Sequence, residues 1–219
     1  MINEVYSDRS VVVVSKPSGL PTAPLKNGCG DSLVKQVEEV YPEIMEVSGY
    51  QSWEGGLLHR LDTPTSGLVI FARNQKAFDY LSWQQRHDMI TKEYRARSAG
   101  IKESLPGFPP FPFRSSDECF TITSGFRSYG RKGASVRPLA VDRDMRVYRT
   151  EVARESEDSF ICVLTQGFRH QVRCHMAWAG YPLIGDVQYG GSEGNEFGLE
   201  AIGLTFTDPA SQKVISIKV

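Results

Sequence analysis

Several features common in proteins are scarce in this 219-residue chain, beginning with cysteine. The few cysteines form neither a Cys-x-x-Cys pair nor the spacing of a zinc site, so no metal-binding function is indicated. We expect them to be buried, reduced thiols in a cytoplasmic protein. They are Cys29, Cys119, Cys162 and Cys174.

Long apolar runs are also lacking. The longest, Val11 to Val14, is far too short to span a lipid bilayer. The first ten residues carry charges and no apolar segment, so we do not expect a signal peptide. These observations predict a soluble protein without a membrane partner.

Neither sign of charge is in excess, since the formal net charge is −1 and the pI is about 6.4. This is not the basic balance of a non-specific nucleic-acid-binding protein, although binding faces are local. Hydrophobic residues make up 40% and charged residues 23%, as in ordinary globular proteins. The length fits one domain, residues 1–219.

Helical and strand-like patterns are mixed without regular alternation. Ser32 and Asn74 each precede a helical pattern, the first of which runs through Leu33, Val37 and Val40 until Pro42, and a third helix is predicted over His170–Ala179. Strands are predicted at 11–14, 57–61, 68–72, 92–98, 147–152, 160–164, 202–206 and 214–219. This order favours an α+β fold with a mixed, largely antiparallel sheet flanked by helices and loops.

Residues 100–135 have no clear periodicity and include a Pro/Phe-rich segment at 106–113. Such a segment could be a domain linker or a surface insertion within one domain. We favour an insertion, because the motifs described below lie on both sides of it.

Asp62 follows His59, Arg60 and Leu61 at the end of a predicted apolar strand and precedes a turn. A carboxylate held rigidly at such a place suits a nucleophile or a general base. An isolated aspartate in a turn sequence is more often only a turn residue. The segment by itself leaves both interpretations open.

A second polar cluster spans residues 167–175. If the helix begins near Arg169, then Arg169 and Arg173 share one face, and with His170 and His175 they make an electropositive spot for Asp62 or for phosphate. A solvated basic face, with His170 and His175 satisfied by local hydrogen bonds, is at least as good an interpretation.

Two further features could contact RNA or serve only the fold. Tyr94 lies in the middle of a predicted strand, where its ring is either core or a platform for a base. Residues 127–149 carry an excess of arginine and lysine, including Arg131 and Lys132, which is either a phosphate-binding surface or a solvated loop.

In this order, the motifs resemble those of the RluA-type family of RNA pseudouridine synthases, from about Val13 to Gly190. Lys16-Pro17-Ser18-Gly19 is similar to the first family motif, and His59 to Leu68 carries H-R-L-D-x-x-T-S-G at every fixed position. Lys92 to Ala96 matches the K-x-Y-x-A strand, and the segment from Gly167 to Gly190 resembles the long C-terminal motif. Four ordered motifs make chance a poor explanation.

The chain departs from the family in two segments. Phe168 stands where the family usually has an arginine, and Arg169 stands where it has a hydroxyl residue. The Pro/Phe-rich segment also differs. Because the first motif starts near residue 11, we expect no N-terminal S4 domain, so that the catalytic domain supplies its own RNA contacts.

The resemblance implies isomerisation of uridine to pseudouridine in structured RNA, either ribosomal or transfer RNA, by a monomer that needs no metal or organic cofactor and does not act on DNA. It implies that Asp62 is the essential carboxylate, that Arg173 forms a salt bridge with it, and that Tyr94 stacks on the target base, with its hydroxyl as a candidate for proton transfer. The expected RNA contacts are His59, Arg60, Arg131, Lys132, Arg169, His170 and Gln171. The target base must leave its stack, at a cost of about a few kcal/mol.

Two other functions remain as alternatives. An Asp-nucleophile nucleoside hydrolase would release free uracil, but a retaining glycosidase mechanism needs a second carboxylate, and none is evident beside Asp62. A non-catalytic RNA-binding module of the same fold would bind RNA without forming product.

Overall fold

A computed structural model describes residues 2–24, 30–98, 100–103, 105–111 and 118–219. Cys29 and part of the Pro/Phe-rich segment, Pro112 and Phe113, lie outside the described residues. The chain divides into two compact units, Met1–Lys92 with Ala201–Val219 and Glu93–Glu200. The expectation of a single domain stays a prediction.

Ten strands and three α-helices lie within the described residues. The strands are β1 (Asn3–Ser7), β2 (Val11–Lys16), β3 (Ser66–Ala72), β4 (Thr91–Arg97), β5 (Cys119–Tyr129), β6 (Ser135–Leu139), β7 (Tyr148–Arg154), β8 (Ser159–Leu164), β9 (Leu199–Thr207) and β10 (Val214–Lys218). The helices are α1 (Leu33–Glu38), α2 (Gln75–Arg86) and α3 (Gln171–Trp178). The predicted α+β fold with largely antiparallel strands is confirmed.

In the first unit the strand order is β1-β2-β3-β9, with β10 paired to β9. β2 pairs antiparallel with β3 from Val11 opposite Ala72 to Lys16 opposite Gly67. Val11 to Val14 are fully buried, which explains a continuous apolar run where a half-exposed strand would alternate. α2 begins as predicted, because the Asn74 side chain accepts a hydrogen bond from the Ala77 amide.

The first predicted helix is shorter than expected. Ser32 caps α1 as predicted, but α1 ends at Glu38 and leaves Val40 53% exposed. Pro42 does not simply follow the helix end, since it begins a 3-10 helix, Pro42–Glu46. Proline fits the first turn of a helix, where its missing N–H leaves no bond unmade.

In the second unit the strand order is β4-β8-β7-β5-β6. The prediction that residues 100–135 are irregular is wrong, because this range contains the eleven-residue strand β5. Its buried positions include Ser124 as well as Ile122, so hydrophobic alternation did not reveal it. The predicted pairing of the strands near 147–152 and 160–164 is confirmed by the antiparallel β7–β8 ladder.

Two of the three described cysteines are buried as expected, namely Cys162 and Cys174. Cys119 is exposed, and the expectation of burial is wrong for it, because it begins β5 on the strand face that carries exposed side chains. No helix among the described residues has both the length and the apolar composition needed to cross a membrane.

Gly67, at the start of β3, provides a test of the packing in the first unit. Its φ is +111°, and an added Cβ would lie 2.2 Å from the Ala201 carbonyl oxygen. We expect Gly67→Ala to lower the free energy of unfolding by about 3 kcal/mol or more, because backbone strain and steric overlap add. Gly30→Ala is the control, since φ there is +86° but nothing lies within 4 Å, and it should cost only about 1–2 kcal/mol. Equal losses in urea denaturation would contradict this account.

Candidate active site

The Asp62 turn lies in the first unit, and the segment leading to it is not the strand that the sequence predicts. Only Leu57 forms an isolated bridge, with Phe71 of β3. Further along, the Thr22 hydroxyl accepts a hydrogen bond from the Leu61 amide at 3.1 Å and donates one to the Leu61 carbonyl at 2.7 Å. Because a side chain takes both backbone groups of Leu61, the segment cannot continue as a ladder strand.

The first sequence motif fastens the other side of this turn. The Gly19 amide donates to the Thr63 carbonyl at 2.9 Å, and the Ser18 hydroxyl donates to the Pro64 carbonyl at 2.6 Å. The Thr65 amide closes the turn onto the Asp62 carbonyl at 3.0 Å. Asp62 is therefore held between neighbours whose backbone groups are bonded, while its own side chain stays partly exposed.

Lys16 joins the motif to the turn from inside the unit. Its side chain is fully buried, and its ammonium group donates to the carbonyls of Pro17, Leu20 and Thr63 at 2.9, 2.7 and 3.1 Å. Burial lowers the pKa of Lys16 to about 8, and the nearby negative charge of Asp62 opposes that shift. The lysine thus places a positive charge next to the Asp62 turn without reaching the surface.

The two residues that begin the H-R-L-D segment differ in exposure. The Nε2 atom of His59 is buried without a hydrogen-bond partner in the described part of the chain. Burial, and then the charge of Lys92, lower the His59 pKa well below its ordinary value, so the ring is neutral at pH 7. Arg60 is exposed and forms an ion pair with the buried Glu54. Of the two predicted RNA contacts, only Arg60 presents its charge to solvent.

Tyr94 belongs to the second unit, in the middle of β4 as predicted. β4 alternates between partly exposed and buried positions, and Tyr94 is only 9% exposed. A ring on a strand with a buried face has little rotational freedom. That restraint suits either a core residue or a fixed stacking platform.

Arg173 lies on α3, which begins at Gln171 and not near Arg169, because His170 has a left-handed conformation that ends helical continuity. The buried Asp186 carboxylate binds the Arg173 guanidinium with two bonds, at 2.7 and 2.8 Å. Gln188 accepts a third bond at 2.8 Å, and the guanidinium lies over the rings of Tyr189 and Phe197. The orientation of Arg173 is therefore fixed within its own unit.

Phe168 lies in the turn before α3, where its ring packs against other aromatic rings of the second unit. Its ring stacks on Phe126 with centroids 4.8 Å apart and an interplanar angle of 4°, and it also contacts Tyr148. The Gln171 amide group is buried and accepts a bond from the Phe168 amide while donating to Thr150. Phe168 thus packs inside the unit where the family's arginine would have carried a charge.

The two neighbours of Phe168 also bond within the unit. Arg169 donates to the carbonyls of Gly133 and Ser135, and His170 is hydrogen-bonded to the Tyr189 hydroxyl at 3.0 Å. Arg131 and Lys132 are exposed at the short 3-10 turn that these bonds hold. The RNA contacts predicted for Arg169, His170 and Gln171 stay predictions, beside structural roles that the bonds establish.

His175 does not contribute to an electropositive spot, and that part of the prediction is wrong. It is fully buried, with hydrogen bonds to the hydroxyls of Ser124 and Thr150 at 2.9 and 2.8 Å. Burial lowers the His175 pKa to about 3, so the ring is neutral at pH 7. Its function is to fix α3 on the sheet.

Sequence reasoning named the candidate catalytic residues but missed the residues that position them. Thr22 had no signal, since a lone threonine in a loop is ordinary. Lys16 and Asp186 stood in the quoted motifs, yet only the structure gives each of them a partner. No group of three His, Cys, Asp or Glu side chains that could hold a metal ion occurs in the described part of the chain. Because Asp62 and Arg173 belong to different units, their expected salt bridge stays a prediction.

Several known proteins are similar to this chain. The ribosomal large subunit pseudouridine synthase D of Neisseria meningitidis is 28% identical over 98% of this chain and 56% of its own length. The dual-specificity RNA pseudouridine synthase RluA of Vibrio vulnificus is 29% identical over 98% of this chain and 81% of its own. The chain spans little more than half the length of several curated relatives.

The fold is also that of a solved structure. The human RNA pseudouridylate synthase domain containing 1 superposes with a TM-score of 0.72 at 18% identity, covering 100% of this chain and 83% of that one. The RNA pseudouridylate synthase family itself matches residues 10–178. Because this match covers well over half of the chain and includes Asp62, Tyr94 and Arg173, the protein belongs to the RNA pseudouridylate synthase family.

Proposed function

We propose that the protein is an RNA pseudouridine synthase that isomerises a uridine in structured ribosomal or transfer RNA, with Asp62 as its catalytic carboxylate. The observation that carries this proposal is the fastening of the Asp62 turn. Backbone groups on both sides of Asp62 are bonded to the first motif or to Thr22, while Asp62 itself is partly exposed. Holding a reactive group in one geometry before substrate arrives lowers the entropic part of the barrier.

The reaction breaks the N1–C1′ bond of uridine, turns the base and joins C5 to C1′. The proton lost from C5 is balanced by one gained at N1, so the reaction is redox-neutral. Asp62 acts on the nucleotide at C1′, at C6 of the base or by assisting elimination. By resemblance to the family, Tyr94 stacks on the detached base and Arg173 supplies a fixed positive charge.

The restraint on the side chains of Tyr94 and Arg173 supports the roles proposed for these two residues. Tyr94 is restrained by the buried face of β4, and Arg173 by the carboxylate of Asp186. Because both carboxylate oxygens of the buried Asp186 accept bonds from Arg173, Asp186 is a positioning residue for Arg173 rather than a candidate for chemistry. Removing one partner of a buried ion pair costs about 3–5 kcal/mol.

Asp62→Asn is the central test. We expect pseudouridine formation to fall by about 10³-fold or more, because the amide can neither attack nor accept a proton, while RNA affinity is retained. Pseudouridine is mapped at nucleotide resolution in RNA from a strain that lacks the gene. Asp79→Asn, at an exposed position on α2, is the matched control and should be fully active. Full turnover by Asp62→Asn would end the proposal, and release of free uracil would indicate a nucleoside hydrolase.

Tyr94→Phe separates stacking from proton transfer. The variant keeps the ring and loses the hydroxyl, so we expect the affinity for RNA to be unchanged and kcat to fall by about 10²-fold. Tyr94→Leu removes the ring as well and should also weaken binding. Wild-type kcat in Tyr94→Phe would leave only the stacking role.

Lys16 gives the activity a pH dependence. As pH rises through about 8, Lys16 loses the proton that gives it a charge beside the Asp62 turn, so kcat should decline there. Lys16→Met should lower kcat at pH 7 by roughly tenfold or more and abolish this inflection. At Lys16 the folded protein binds fewer protons than the unfolded chain between pH 8 and 10.5, so the contribution of this lysine to stability should rise with pH in that window. An inflection that persists in Lys16→Met would show that another group causes it.

A further inference from the structure

The sheet formed by β5, β6 and β7 has one buried face and one exposed face. The buried face carries Ile122, Ser124, Tyr148, Thr150 and Val152, and α3 contacts it through the His175 hydrogen bonds. Because side chains alternate along a strand, the residues between these positions face the other way. That exposed face carries three arginines and one glutamate, namely Arg127, Arg137, Arg149 and Glu151.

Two of these arginines are directly opposite each other. Arg127 on β5 pairs in register with Arg137 on β6, which brings their Cβ atoms to about 5 Å on the same face. Like charges at such positions destabilise a sheet unless an anion lies between them. In the described part of the chain no carboxylate forms an ion pair with either arginine. One nitrogen of the Arg137 guanidinium, Nη1, donates to the Gly107 carbonyl. The other N–H groups of this guanidinium can still donate to a ligand.

The positive charge continues in both directions from this pair. Arg149 pairs in register with Thr123, four residues before Arg127, so it lies about 13 Å away along the strand direction. Glu151 neutralises it in part, at 3.0 Å. At the other end, the turn after β5 exposes Arg131 and Lys132. The cations therefore form a strip along the exposed face.

The strip is held rigidly. Arg169 donates to the carbonyls of Gly133 and Ser135, and Gln188 donates to the Ala134 carbonyl, so the β5–β6 turn is tied to the α3 region. Tyr129 lies on the same hairpin, and its hydroxyl donates to the Pro106 carbonyl. Cations on a fixed frame lose little entropy when they bind a ligand.

We propose that this strip binds the phosphodiester backbone of the substrate RNA, as a contact independent of base sequence. The inference rests on the proposed function, which makes RNA the substrate. A guanidinium matches a phosphate with two parallel hydrogen bonds, and the Arg127–Arg137 pair offers two such groups to one phosphate. A strand of nucleic acid carries a charge about every 3.4 Å along its axis, so the strip covers several phosphates. The overall charge of −1 concealed this surface, because the strip is local.

The test is the salt dependence of RNA binding. Arg127→Gln/Arg137→Gln removes two charges and leaves a shorter, polar side chain at each position. We expect the Kd for a fluorescent RNA hairpin with a uridine-containing loop to rise roughly tenfold or more in 0.1 M salt. The slope of log Kd against log salt should fall by about 2, equally for hairpins of different sequence. Fluorescence anisotropy at a series of NaCl concentrations gives both quantities.

Arg9→Gln/Lys76→Gln is the matched control, because both residues are exposed in the first unit and the change in net charge is the same. It should leave the slope as in the wild-type protein. Circular dichroism and thermal unfolding check that the double arginine variant is folded. The single variant Arg127→Gln should show half the change in slope, and the Arg127 side chain bonds to nothing in the described residues. Equal slopes for the double variant, the control and the wild-type protein would overturn the inference.

The binding readout separates this inference from the proposed function. If the wild-type protein forms pseudouridine but the slopes are equal, only the phosphate-binding strip is wrong. If no pseudouridine forms while the double variant still loses slope, the strip binds RNA and the catalytic proposal fails. Weakened binding confined to one hairpin sequence would show base recognition instead of phosphate binding, and would also overturn the inference.

Discussion

The candidate active site depends on one buried ammonium group. Lys16 lies inside the first unit, and its ammonium group donates to three backbone carbonyls, one of which belongs to the Asp62 turn. Burying a charge is costly unless hydrogen bonds compensate it. Those three bonds provide the compensation, so the turn and the first motif are stable only together.

In the second unit the buried positive charge has a different kind of partner. Its buried cation, Arg173, has a carboxylate partner and two aromatic neighbours, whereas its buried histidine is neutral and bonded to hydroxyls. Phe168 continues the same arrangement by packing its ring against Phe126. Positive charge in this unit is consequently divided between Arg173, fixed inside, and Arg127, Arg137 and Arg149 on the exposed sheet face.

The sequence predicted most of the elements, and its failures have common causes; the site residues that it named stay predictions. Apolar runs and caps located β2, β3, α2 and α3, since Val11–Val14 and Asn74 leave strong local signals. β5 was not predicted because one of its buried positions is a serine, Ser124, which is hydrogen-bonded to His175 and does not contribute to an apolar pattern. The segment before Asp62 was wrongly predicted as a strand because Thr22, from a distant loop, captures the backbone of Leu61. Tertiary hydrogen bonds of this kind leave no periodicity in the chain.

The Lys16 bonds also bear on how the protein folds. Lys16 and Thr63 are 47 residues apart, so the bond between them closes a long loop, and the pairing of β2 with β3 brings the ends of that loop together. The Asp62 turn is consequently ordered by contacts from a distant strand as well as by its own local hydrogen bond. Because β2 and β3 also supply much of the buried core of this unit, opening of their ladder would remove the geometry of the aspartate and the core together.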